Sequence, residues 1–149
     1  MARYEKSIEV DVPVRTTYNQ WTQFEEFPRF MDGLEEVTQL DDARLHWVAN
    51  IGGQRKEWYA RITEQIPDQR IAWRSEEGEM NAGTVTFESI DANKTRVNLL
   101  MEYEPEGFAK NVGDALGFVS RQVDGDLGRF KEFIESRGVE TGSWRGTIS

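Results

Sequence analysis

Acidic side chains come in adjacent pairs, Glu25-Glu26, Glu35-Glu36, Asp41-Asp42 and Glu76-Glu77. Two neighbouring carboxylates can share acid and base roles when burial raises the pKa of one of them. These pairs fall at turns or at outward positions of alternating segments, so they read as solvated faces. His46 is the single histidine and there is no cysteine. A Ser-His-Asp arrangement, a thiolate nucleophile and a zinc site therefore lack their parts, and no metal or cofactor is expected. Gly52-Gly53 lies between two alternating segments and precedes no helix, so it is a hairpin turn and not a phosphate loop. The polar residues with a chance at chemistry are those that alternation turns inward: Ser75, Asn81 and Tyr103, with Gln122 on the flank of a helix. Such a set could orient a carbonyl or hydroxyl of a ligand. Tyr103 and Ser75 are the only catalytic candidates. The apolar inward residues Trp47, Trp58, Trp73, Phe87, Leu99 and Met101 are either walls of a cavity or plain core.

These residues need elements to position them. Phe108, Val112, Leu116, Val119, Val123, Leu127, Phe130 and Ile134 recur at steps of three or four, which predicts an amphipathic helix over about 108–137. At about 1.5 Å per residue it would run roughly 45 Å, three times the ~15 Å radius of gyration of a domain this size. One helix thus crosses the whole molecule, and Val119 and Val123 join the candidate ligand wall from its stripe. Gly113, Gly117, Gly125 and Gly128 inside it point to close packing on strands, to a kink at Gly125, or to room for a ligand between helix and sheet.

Upstream, residues 3–12 alternate as a strand. Pro13 opens a short helix over about 14–24, and Pro28 breaks the pattern before a second short helix at about 26–31. Period-two segments then follow at about 34–40, 43–51, 54–66, 69–76, 80–90 and 95–104, each separated by a short turn. The inward positions are apolar and the outward ones Arg, Thr, Asn and Glu, the pattern of a sheet covered on one side and wet on the other. The cover is the long helix. This makes an α+β fold of helix-grip type: a curved seven-stranded antiparallel sheet wrapped around a long C-terminal helix, with two short helices after strand 1. The domain is expected over 1–138, with an irregular tail over 139–149 whose Trp144 could fold back.

The chain carries 27 acidic and 18 basic residues, net −9. No basic cluster suited to phosphates is present, so nucleic acid is not an expected partner. No apolar run is long enough for a membrane span and no signal-peptide pattern opens the sequence. A cytoplasmic protein is the expectation; nothing indicates an oligomeric state.

Val12-Pro13-Val14, the helix ending in Trp21, and Phe27-Pro28-Arg29-Phe30-Met31 resemble the opening of the polyketide cyclase/dehydrase and coenzyme Q-binding branch of the START-like (SRPBCC) superfamily. Lys56-Glu57-Trp58, Ile71-Ala72-Trp73-Arg74-Ser75, Asn81-Ala82-Gly83 and Arg129-Phe130-Lys131-Glu132-Phe133-Ile134-Glu135 extend the likeness over about residues 3–137. The resemblance implies a small hydrophobic partner, a lipid, quinone or polyketide-like compound, held between sheet and helix. It equally admits an aromatase/cyclase-dehydrase, or an interaction protein whose cavity is filled by its own side chains.

Overall fold

The computed structural model describes residues 2–31, 33–51, 53–77, 81–103 and 112–148. The side chains of Ala2, Ile51, Gln54, Glu77, Tyr103 and residues 112–119 lie outside that description. Strand β1 (Ala2–Val10) leads into helix α1 (Val14–Trp21) and a short 3-10 helix (Phe24–Arg29). Six strands follow: β2 (Leu34–Gln39), β3 (Arg44–Ile51), β4 (Gln54–Ile66), β5 (Arg70–Glu77), β6 (Asn81–Asp91) and β7 (Lys94–Tyr103). Helix α2 (Val112–Arg137) completes the fold. The expected start of this helix, at Phe108, lies outside the described residues. The second short helix begins earlier than its pattern suggested, at Phe24, because its 3-10 geometry accommodates Pro28 within the turn.

The strands form one antiparallel sheet in the order β1-β7-β6-β5-β4-β3-β2. A meander from β2 to β7 is closed at its far side by β1, whose Ala2 pairs with Tyr103 and Val10 with Thr95. Register shifts at Leu34/Glu36, Tyr59/Ala60, Ile62/Glu64 and Ser89/Asp91 interrupt the ladders, and irregularities of the β-bulge kind bend and twist a strand. The curled sheet presents a concave face carrying Leu45, Trp47, Trp58, Ala60, Ile62, Ile71, Trp73, Val85, Val97 and Leu99, all buried in one core. The alternating pattern fails at Val48, an outward position that is nonetheless 3% exposed. It stands across from Glu36 and Glu57 and lies outside the main core cluster.

Helix α2 is tied to edge strand β1 and to the segment that precedes β2. On the β1 side, Tyr4 Oη donates to Asp124 Oδ1 (2.9 Å), Lys131 Nζ donates to the Glu9 carbonyl (2.9 Å), and the Asp11 amide donates to Glu135 (2.7 Å). Toward β2, Arg129 Nε donates to the Phe30 carbonyl (2.9 Å), oriented by Asp126 at 2.5 Å. Arg129, on the charged face in sequence, thereby serves as a clamp. Underneath, Val123, Leu127, Phe130 and Ile134 are buried, and Trp21, Phe30 and Phe130 form a cluster of tilted rings 5.1–6.0 Å apart. The helix glycines do not pack against strands where their surroundings are described: Gly128 has open space, and a side chain at Gly125 would meet only the Arg129 guanidinium.

Residues after Arg137 are irregular but anchored. The Thr141 amide donates to Gln20 Oε1 (2.9 Å) and the Trp144 amide to Thr22 Oγ1 (3.1 Å). Asn19 Nδ2 donates to Glu140 (2.7 Å). Ile148 exchanges both backbone bonds with Gln65 near the end of β4. The strap so formed covers the polar side of α1, where Thr17, Asn19, Gln20 and Thr22 are buried with Tyr18 and Trp21.

Candidate functional site

The most distinctive feature of the concave face is a row of three indoles. Trp47 on β3 and Trp58 on β4 are direct cross-strand partners. Their rings lie 6.1 Å apart and only 5° from parallel. Trp73 on β5 stacks on the other side of the set, 6.3 Å from Trp47 at 23°. Cross-strand register brings the first two together; Trp73 pairs with Ile62 instead and reaches Trp47 across β4. Gly83 makes the arrangement fit: it pairs with Trp73 across β5 and β6, and a Cβ there would fall 2.3 Å from the indole. The ring lies flat over β6 because that position has no side chain.

Ser75 and Asn81 meet at one end of this face. Both are buried, and the Asn81 amide donates to Ser75 Oγ (2.9 Å), so part of the hydroxyl's capacity is used to brace the β5–β6 connection. Tyr103 stands opposite Asn81 in β7 and Met101 opposite Gly83. The structure therefore gathers the backbone positions of Ser75, Asn81, Met101 and Tyr103 near the indole row. The Tyr103 and Val119 side chains lie outside the described residues. Leu99 is buried midway along β7 and Val123 beneath α2. Phe87 is at the opposite end of β6, packed edge-on against Tyr18 of α1 at 5.4 Å. Gln122 sits where α2 nears the start of β2: its Nε2 donates to Asp126 (2.9 Å), and its Oε1 is 4.0 Å from the place a Cβ would occupy on Gly33.

Two polar atoms inside the row stand out. Trp47 and Trp58 are 5% and 8% exposed, and the indole Nε1 of each is buried without a hydrogen-bond acceptor. A buried indole N–H normally finds a partner, and leaving one unmade costs about 1–3 kcal/mol. Trp21 Nε1 shares the shortfall; Trp21 and Trp47 both pack against Phe27, and aromatic π faces are weak acceptors.

A second unpaired group lies under the strap: Tyr18 Oη, both polar atoms of Gln65, and Asp68 Oδ1. Sequence reasoning missed Gln65, because the Ile62/Glu64 bulge reverses the alternation and turns it inward. Arg145 closes this end, bonded to Asp68 (2.8 Å) and Asn19 (2.6 Å) and lying over the Tyr18 ring. Burial raises the Tyr18 phenol pKa; the nearby Gln65 amide and Arg145 charge partly offset this without joining it in a well-formed hydrogen bond.

No group of three His, Cys, Asp or Glu side chains suited to a metal occurs among the described residues. His46 is on the outer face, within 3.3 Å of Glu57 and beside the Tyr59 ring. The concave face is thus apolar, with few polar groups, and suits the sorting and orienting of an apolar molecule.

Residues 10–132 match the protein family described as "Polyketide cyclase / dehydrase and lipid transport". Over 149 residues, 99% of each chain, the sequence is 55% identical to an uncharacterised 17.2 kDa protein encoded in the melC2-rnhH intergenic region of Streptomyces lincolnensis. The fold superposes on a START superfamily protein from Mycobacterium smegmatis with a TM-score of 0.81 at 12% identity, covering 91% of this chain and 98% of that one. It also matches the di-domain ARO/CYC BexL of the BE-7585A biosynthetic pathway, with a TM-score of 0.68 and 25% identity, over 91% of this chain and 47% of that one.

Proposed function

We propose, from the premise that this chain belongs to the polyketide cyclase / dehydrase and lipid transport family, that it binds a small hydrophobic or aromatic molecule between the concave sheet and α2. The observation that carries this reading is the indole row: three stacked, nearly parallel rings on adjacent strands, in one core with the buried face of α2, with Trp73 fitted against Gly83. Flat apolar surfaces of this kind favour flat apolar partners, at about 25 cal/mol per Å² of ligand surface removed from water before the costs of association. Trp47, Trp58 and Trp73 form the floor. Leu99, Met101, Val119 and Val123 are proposed as walls, with Ser75, Asn81, Tyr103 and Gln122 as orienting groups.

Thermal denaturation with a panel of aromatic and acyl compounds tests the reading. A ligand that binds only the folded chain raises stability by about 2.7 kcal/mol at a hundred times its Kd, so a saturable rise in Tm is expected for at least one apolar aromatic. No shift with any compound, together with none retained in native mass spectrometry, would sink it.

The likeness to BexL favours catalysis as a second reading. A cavity that held a reactive keto chain in near-attack geometry could direct its cyclisation, with Tyr103 or Ser75 assisting enolisation. Ser75 Oγ accepts from the Asn81 amide, which does not use its own O–H, so both residues stay candidates. Turnover of a model polyketide, lost in Tyr103→Phe, separates this reading from simple binding.

A further inference from the structure

We propose that the outer face of the sheet carries a docking row for an acidic helix of a partner protein, formed by Arg44, Arg61 and Arg74. Arg44 on β3 stands directly across from Arg61 on β4, and Arg61 directly across from Arg74 on β5. Their chain neighbours Leu45, Ala60, Ile62, Trp73 and Ser75 are buried on the concave side, so alternation turns all three arginines outward together. Arg61 and Arg74 are exposed and Arg44 is partly so. Among the described residues, Glu76 is the one carboxylate paired to the row, 3.3 Å from Arg44 and 3.6 Å from Arg61, and Arg74 is in no ion pair. On its far side Arg74 meets Ala82 of β6. The three lie far apart in the chain, so no basic run in the sequence announces them.

Like charges directly opposite on a sheet are destabilising, and this sheet keeps two such contacts in succession. Carboxylates arriving from outside relieve them, since a guanidinium grips a carboxylate through two parallel N–H groups. Spacing selects the form of the partner. The row spans two strand steps, about 9–10 Å. Helical residues i, i+4 and i+7 share one face and span about 10.5 Å. Three same-face residues of an extended strand span about 13 Å and overshoot the row. Leu40, whose amide bonds the Arg44 carbonyl, and Tyr59, two residues before Arg61, are 49% and 37% exposed and flank the row with apolar surface. Arginine and tyrosine beside each other are typical of protein interfaces. With a net charge of −9, the rest of the surface repels an acidic partner and so steers it to this row. None of this depends on what the concave face binds.

The probe is a stapled helical peptide with Glu at i, i+4, i+7 and i+11 along one face. One control carries Gln at those positions, and another spreads the same glutamates around the helix. Fluorescence anisotropy with the full chain at low ionic strength is expected to show saturable binding of the striped peptide alone, weakened as salt screens the charges. Arg61→Gln and Arg74→Gln should each weaken it about three- to fivefold, and the double variant at least about tenfold. Arg55→Gln, on the same face but paired to Glu35 and Glu57 outside the row, should leave it unchanged. The Tm of Arg74→Gln should not fall, because the change removes a like-charge contact, so its loss of binding is not a loss of fold. Equal binding of the striped and spread peptides, full affinity in the double variant, or no binding at low salt overturns the proposal. A single-stranded oligonucleotide bound more tightly than the peptide, with the same dependence on Arg61 and Arg74, overturns the assignment to a protein partner.

Discussion

Gly83 and Trp73 show how much one absent side chain can decide. Replacing Gly83 with alanine puts a methyl 2.3 Å from the indole, on a strand backbone that cannot yield without breaking its pairing to Met101 and Trp73. Overpacking of this kind costs about 1–3 kcal/mol. Gly83→Ala is expected to lower Tm by several degrees and to disturb the far-ultraviolet exciton couplet of the stacked indoles, which a destabilising change elsewhere in the sheet would leave in its folded-state form. Alternation alone placed Trp47, Trp58 and Trp73 inward, and they are buried as that pattern required. What alternation could not tell was their relation to one another. Stacking depends on cross-strand register and rotamer, and neither is written in a single strand's pattern. Ser75 shows the same limit: its inward position was legible, but its bond to the Asn81 amide depends on how the β5–β6 connection closes.

Among the elements, α1 departs furthest from its sequence pattern. Val14, Tyr18 and Trp21 announce an amphipathic helix, and the opposite face, Thr17, Asn19, Gln20 and Thr22, reads as wet. It is buried under residues 140–148. The strap has no periodicity of its own, so nothing in its sequence tells where it docks; its polar groups are matched to those of a helix some 120 positions away. Truncation after Gly138 is expected to cost on the order of 2 kcal/mol, a fall of about 4–8 °C in Tm, because Arg145–Asp68 and the bonds to Gln20 and Thr22 go together. Far-UV dichroism should stay close to that of the full chain, since the sheet and α2 are held by other contacts. A truncated chain of unchanged Tm would show the strap to be energetically idle.

At the scale of the whole molecule, the helix-grip arrangement and the order of its strands were legible from period and turns, because each connection between β2 and β7 is short and admits only antiparallel neighbours. The tying of α2 to β1 and to the segment before β2 was not, since it depends on side chains such as Asp124, Arg129 and Glu135 that look like ordinary surface charge. Glu135 illustrates how that closure responds to pH. Partial burial works to raise its pKa, but hydrogen bonds from Lys131 (2.6 Å) and the Asp11 amide (2.7 Å), with the Lys131 charge, outweigh it, and the net shift is downward. A carboxyl whose pKa is lower in the folded state stabilises fully above its unfolded pKa, and that contribution is lost as pH falls through the folded value. Glu135→Gln should therefore lower Tm most at neutral pH. The gap to wild type should close on acidification below about pH 4, the ordinary glutamate range, and a gap independent of pH would refute the assignment.

The position of α2 as the last regular element also has a consequence for synthesis. Chains emerge from the ribosome amino end first, so β2 through β7 can zip up while the residues that roof them are still being made. During that interval the indoles of Trp47, Trp58 and Trp73 face water on a half-finished bowl, and β1 must wait for β7, since Ala2 pairs with Tyr103. A nascent chain halted between Tyr103 and Arg137 should thus be a sticky object that recruits chaperones, whereas one released past the Phe130 and Ile134 ridge should let them go.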